Sequence, residues 1–260
     1  MESTHNHRRW FLKKGTLASF AFLSAPQMIQ AALSAELSSD LDFTASAEEA
    51  GRVLLFQGDS ITDAGRSRAH YYPNQAAGMG GGYVYQIVSH LLGRYPEQGF
   101  RCYNRGISGH KVFQLSDRWE DDCLQLRPQV LSLLIGVNDF WHTKTHGFKG
   151  TAASYEQDLR ALLQRSKEAL PGLKIVLGEP FFVEGGSKLE KSWFAEFDSY
   201  REACARVAED HADVYIPYND IFAEALQSAP VTYWCPDGVH PSMAGSFLMA
   251  NAWLEAFGKL

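Results

Sequence analysis

Val53-Leu54-Leu55-Phe56-Gln57 runs directly into Gly58-Asp59-Ser60-Ile61-Thr62. A short continuous apolar run of this kind predicts a strand buried on both faces. The small polar residues behind it predict a turn at its carboxyl end. The pattern repeats downstream. Phe100–Asn104 reads as a weaker strand, Val130–Ile135 as a strong one, and Leu173–Leu177 and Asp213–Ile216 as two more. Between them lie segments with apolar residues at helical spacing: Tyr83–Leu92, Val112–Leu126, Ser154–Leu170 and Trp193–Glu209. Ile221–Gln227 and Ser242–Phe257 close the chain as helices. Strands alternating with helices predict βαβ units: a five-stranded parallel sheet in a three-layer αβα sandwich. In such sheets a site forms beyond the carboxyl ends of the strands. Gly58–Thr62, Gly106–Gly109 and Gly136–Asp139 each follow a predicted strand, and Asp237–His240 follows the last strand after an intervening helix.

Those four segments carry the candidate chemistry. Ser60 is a weak nucleophile until a base takes its proton. Near the C-terminus, Trp234-Cys235-Pro236-Asp237-Gly238-Val239-His240-Pro241 supplies a base, His240, and a carboxylate, Asp237, three residues before it. A carboxylate so placed can fix the imidazole tautomer and stabilise the imidazolium. Acyl transfer also needs donors where the oxyanion develops. Asn138 offers a side-chain amide and Gly109 an unobstructed backbone N–H.

In order and spacing, Gly58-Asp59-Ser60, Gly109, Gly136-x-Asn138-Asp139 and Asp237-x-x-His240 resemble the four motif blocks of the SGNH (GDSL) hydrolase family. The resemblance spans residues 53–245 and implies a flavodoxin-like sheet of strand order 2-1-3-4-5. It implies Ser60 as nucleophile, His240 as base and Asp237 as its partner, with Ser60, Gly109 and Asn138 forming the oxyanion hole. No metal and no organic cofactor is implied. His142 and His146, four apart, lack the accompanying carboxylate of a zinc helix. Gly58–Arg66, Arg118–Asp122, Ile135–Trp141 and Trp234 look closer to the acetylxylan-esterase-like branch. That likeness implies a carbohydrate O-acetylesterase working through an acyl-enzyme, with Trp141, Trp234, Tyr71, Tyr72, Asp59 and His110 as candidate substrate contacts. His110 stands where many relatives carry a small polar or acidic residue. An imidazole base implies a rate that rises towards neutral pH. The alternatives are a lysophospholipase or thioesterase, whose acyl channel would have to come from loops 65–82 and 180–192, and a non-catalytic sugar-binding protein on the same scaffold.

The bulk properties agree. Of 260 residues, 45% are apolar, which suits one globular domain over 51–260. The N-terminus reads His7-Arg8-Arg9-Trp10-Phe11-Leu12-Lys13-Lys14 and then a short apolar stretch, a pattern that resembles a twin-arginine export signal over 1–35. Small residues at Ala32 or Ala35 offer cleavage sites, and residues 36–50 read as a linker. A periplasmic or secreted protein is expected, with no stable membrane insertion after cleavage and with homo-oligomers allowed. Without residues 1–35 the balance is 20 basic to 29 acidic side chains, which speaks against nucleic-acid or anionic-membrane partners. Cys102, Cys123, Cys204 and Cys235 are expected to be free, mostly buried thiols, as befits a protein exported already folded.

Overall fold

The computed structural model describes residue 26, residues 28–30 and residues 51–260. The rest of the expected leader and the linker at 36–50 lie outside the described residues. Met28 is buried in the main hydrophobic cluster and Ile29 packs against it, although both fall within the expected leader.

Five parallel strands, β1 (Val53–Gly58), β2 (Arg101–Asn104), β3 (Val130–Leu134), β4 (Lys174–Gly178) and β5 (Val214–Ile216), form one sheet in the order β2-β1-β3-β4-β5. The expected order and sandwich are observed. β1 and β3 are buried along their whole length, which is why they read as unbroken apolar runs. The helices are α1 (Ser60–Asp63), α2 (Ala76–Met79), α3 (Tyr83–Arg94), α4 (Val112–Asp117), α5 (Trp119–Asp122), α6 (Val137–Thr145), α7 (Ala152–Ala169), α8 (Phe194–His211), α9 (Tyr218–Ala225), α10 (Val231–Trp234) and α11 (Met243–Phe257). On one face α3 packs on α11. Trp253 of α11 donates from Nε1 to Ser132 Oγ at 2.9 Å and lays its ring 5.1 Å from that of Phe56. Phe56 and Ser132 are register partners, so one indole ties both central strands to the helix layer. On the other face α7 packs on α8, and the Tyr155 hydroxyl donates to the carbonyl of Ile135 at 3.1 Å.

One expectation needs correction. Val112–Leu126 is not one helix but α4, α5 and a 3-10 turn at Leu124–Leu126. The break falls at Arg118, whose guanidinium turns back onto Asp122 at 2.6 Å. The new direction buries Trp119 completely and lets its Nε1 donate to Ser166 Oγ at 2.8 Å. Between the expected strand at Val130–Ile135 and the expected helix at Ser154–Leu170 the structure adds α6, to which the sequence reading assigns no element. Its sequence is mostly polar because only its first turns face inward.

All four cysteines are free and buried. Among the described residues, no helix is long and apolar enough to cross a membrane.

Candidate active site

The sheet delivers β1, β2 and β3 to one edge, with Gly58 beside Leu134 and Phe56 beside Asn104. From Gly58 the chain turns at Asp59 into α1. The Asp59 carboxylate caps this turn, its Oδ1 accepting the N–H of Ile61 at 3.0 Å. Ser60 therefore stands at the first position of a helical turn, with Oγ 2.8 Å from His240 Nε2.

His240 and Asp237 come from the loop after α10. Asp237 Oδ1 accepts the backbone N–H groups of Val239 (2.9 Å) and His240 (2.7 Å), and Oδ2 lies 2.8 Å from His240 Nδ1. Lys188 donates to the same Oδ2 from Nζ at 3.1 Å. Burial alone would raise the Asp237 carboxyl. The backbone and imidazole bonds from His240, the Val239 N–H and the Lys188 ammonium outweigh burial and hold the carboxyl well below the usual range. An ionised Asp237 accepts from Nδ1–H, which leaves Nε2 with its lone pair towards Ser60.

A neighbouring segment braces this loop. Val183 donates to the Gly238 carbonyl at 2.9 Å, Ser187 to that of Pro236 at 3.1 Å, and Lys188 to that of Asp237 at 3.2 Å. A Cβ on Gly186 would lie 2.2 Å from the Gly238 backbone, so only glycine permits this approach. Sequence reasoning missed the brace and Lys188. Residues 180–192 had been weighed only as wall material for an acyl channel, and their partner lies far along the chain.

The donor side is built from β2 and β3. Ile107 donates to the Gly58 carbonyl at 3.1 Å, and Ser108 donates from its N–H and Oγ to Asp63 at 2.9 and 3.1 Å. These bonds fasten the loop that ends at Gly109, whose φ of +81° suits glycine. Asn138, in the first turn of α6, donates one amide hydrogen to the His110 carbonyl at 3.2 Å. The structure thus brings the Asn138 amide to the Gly109–His110 loop.

The remaining candidates separate. Trp141 is in the site, its ring 6.4 Å from that of His240. Trp234 stands three residues before Asp237 with Tyr233 edge-on at 4.9 Å. The indole N–H groups of both tryptophans and Nδ1 of His110 are buried without a hydrogen-bond partner. Burial, together with Arg118, Arg68 and Lys111, holds the His110 imidazole down to about 4. Tyr71 and Tyr72 are exposed at 60% and 75%, and the Arg105 guanidinium lies 4.6 Å over the Tyr71 ring. Asp59 is corrected: it is fully buried as the cap of α1 and has no surface to offer a substrate. Burial, with repulsion from Asp139, pushes its carboxyl up to about 7. Asp139 is likewise buried and pushed up to about 7 by burial, against the Val112 N–H and Lys111. Each of these carboxyls has one oxygen without a partner.

Comparison with known proteins gives a consistent picture. The model of the GDSL-like lipase/acylhydrolase family matches residues 56–246. An acetylxylan esterase of Geobacillus stearothermophilus is 35% identical over 212 residues, covering 80% of this chain and 94% of that protein. Among solved structures, one assigned provisionally as a GDSL-like lipase, from Parabacteroides merdae, superposes with a TM-score of 0.79 at 47% identity. That alignment covers 83% of this chain and all of the other. A catalytic mutant of the Geobacillus acetylxylan esterase, with an aspartate replaced by alanine, superposes with a TM-score of 0.73 at 33% identity, over 82% and 97% of the two chains.

Proposed function

The chain belongs to the GDSL-like lipase/acylhydrolase family, and from that premise we propose that it is an exported serine esterase that removes O-acetyl groups from carbohydrates of the xylan type. The observation that carries the chemistry is the unbroken hydrogen-bond chain Ser60–His240–Asp237, with 2.8 Å at each link between side chains. The likeness to an acetylxylan esterase over 80% of the chain supports the substrate class. The Trp141 indole, its ring 6.4 Å from that of His240, suits a sugar ring.

Ser60 Oγ attacks the acetyl carbonyl carbon while His240 Nε2 takes its proton. The N–H groups of Ser60 and Gly109 and the amide of Asn138 receive the developing oxyanion. The bond from the carbonyl carbon to the sugar oxygen breaks, and His240 returns the proton to that oxygen. Water, deprotonated by His240, then attacks the acetyl-enzyme, acetate leaves, and the proton returns to Ser60. Export by a twin-arginine-type leader places this activity in the periplasm or outside the cell, and free, buried thiols suit a domain that folds before export.

The test is acetate release from acetylated xylan beside 4-nitrophenyl acetate and 4-nitrophenyl octanoate, with Ser60→Ala as control. Ser60-dependent acetate from xylan with little octanoate turnover is expected. Preference for octanoate would move the protein to lipid or thioester substrates. Activity that survives Ser60→Ala would overturn the mechanism.

A further inference from the structure

His142 lies four residues after Asn138 in α6, so the two side chains share one face of the helix, one turn apart. Its imidazole reaches the oxyanion loop: a Cβ built on Gly109 would have His142 Cε1 as its nearest neighbour, at 3.9 Å. Nδ1 of the ring is 3.3 Å from the ammonium of Lys111. Lys111 is itself buried and lies over the rings of Phe113 (5.5 Å) and Phe148 (5.2 Å), so the imidazole is its hydrogen-bond acceptor between two apolar faces. An ammonium only donates, so His142 Nδ1 must accept, and its ring proton must sit on Nε2. Burial, the Lys111 charge and the neighbouring His146 hold this imidazole down to about 4, which keeps it neutral at working pH. His142 is therefore a neutral N–H donor of fixed tautomer. Among the described residues no hydrogen bond to Nε2 is formed, and the side chain is only half buried.

We propose that His142 Nε2–H recognises a hydroxyl or ring oxygen of the sugar next to the acetylated position, and so sets the preference for carbohydrate acetates over esters of simple alcohols. The inference rests on the deacetylase reading and deepens it. His142 is a specificity-determining residue, outside the proton path of Ser60 and His240. Lys111 is its positioning residue, because loss of the ammonium frees the ring to adopt the other tautomer. A site built to bond a hydroxyl discriminates against partners that lack one.

The experiment compares kcat/KM for an acetylated xylo-oligosaccharide with kcat/KM for 4-nitrophenyl acetate, in the same full-length protein. His142→Phe should lower the ratio of the two about tenfold, the worth of one well-placed hydrogen bond. His142→Gln, which restores a donor, should recover most of it. Lys111→Met should lower the ratio by a smaller factor without touching His142. An unchanged ratio in His142→Phe overturns the inference, as does a ratio that Gln fails to restore. A wild-type protein that releases no acetate from the oligosaccharide overturns both the deacetylase reading and this inference, whereas a wild-type deacetylase with an unaltered variant ratio overturns this one alone.

Discussion

The loop that carries Asp237 and His240 and the set of candidate substrate contacts, the rim, treat their polar groups differently. Around Asp237 both carboxylate oxygens are engaged, by two backbone N–H groups, an imidazole and an ammonium, and the loop backbone is tied to Val183–Lys188 by three further bonds. Along the rim, the Trp141 and Trp234 indole N–H groups and His110 Nδ1 have no partner, and Tyr71 and Tyr72 are largely exposed. The first region has its geometry fixed in advance of any substrate, which is what electrostatic preorganisation requires. The second holds polar atoms that are buried and unpaired, and its open surface is that of the two tyrosine rings. Reaction type should therefore depend on the braced loop, and substrate choice on the rim.

Mutation can break that division. The largest effect is expected from Asp237→Asn. Its carbonyl can still accept from Val239 and His240, but its amide would face Nδ1, forcing the proton onto Nε2 and removing the base for Ser60. A fall in kcat on the order of 10³–10⁴ with an unchanged fold is expected, read by steady-state kinetics beside circular dichroism. Asn138→Ala comes next, with a loss of about 10²–10³ in kcat and little change in KM. A change confined to KM would assign Asn138 to the rim instead.

Below the site, the buried pair Asp59 and Asp139 makes a stability prediction. Their folded carboxyls titrate near 7, above the ordinary value. The native state then holds protons that the unfolded chain releases between about pH 4 and 7. Stability should fall as pH rises through that window and stay lower above it. Asp237 has the opposite sign: its depressed carboxyl contributes stability at neutral pH that is lost as pH falls below the ordinary carboxylate range. Asp139→Asn should raise the Tm at pH 8 by about 2–4 °C and flatten the decline, since an asparagine can still accept from Val112. An equal or lower Tm at pH 8 would contradict the burial argument. The smallest effect belongs to Lys188→Met. Removing a cation from the oxygen that receives His240 alters one exposed charge pair, so kcat/KM at neutral pH should change by no more than about threefold, and by less at high salt. A larger change that high salt leaves untouched would show that Lys188 acts through the brace rather than through its charge.

The parts of this molecule that were legible in the sequence share a physical cause. β1 and β3 are covered on both faces, so burial wrote itself as unbroken apolar runs, and the site segments follow them at the carboxyl edge. The loop bearing Asp237 and His240 was legible because its two functional groups are three residues apart and share one turn. What was hidden depends on neighbours far along the chain. Lys188 meets Asp237 across 49 positions, and Lys111 meets His142 across 31. The helix α6 was hidden because two of its buried residues, Asn138 and Asp139, are polar and its last residues are exposed, so no apolar helical period appears. Asp59 was misplaced because a capping carboxylate and a substrate-facing one look alike in a sequence, and only the 3.0 Å bond to Ile61 tells them apart. The division of Val112–Leu126 turns on where one indole finds its acceptor, which periodicity does not encode.

The four thiols, unlinked and buried, have a consequence for how this molecule meets reactive chemicals. Burial pushes Cys102 and Cys204 up to about 12 and moves Cys123 and Cys235 in the same direction, so none offers a thiolate at neutral pH. Thiol-directed alkylating agents find cysteines that are both hidden and protonated, whereas peroxide meets sulfur at the exposed Met243. A serine-directed electrophile such as a fluorophosphonate therefore reports on Ser60 without a competing signal from cysteine.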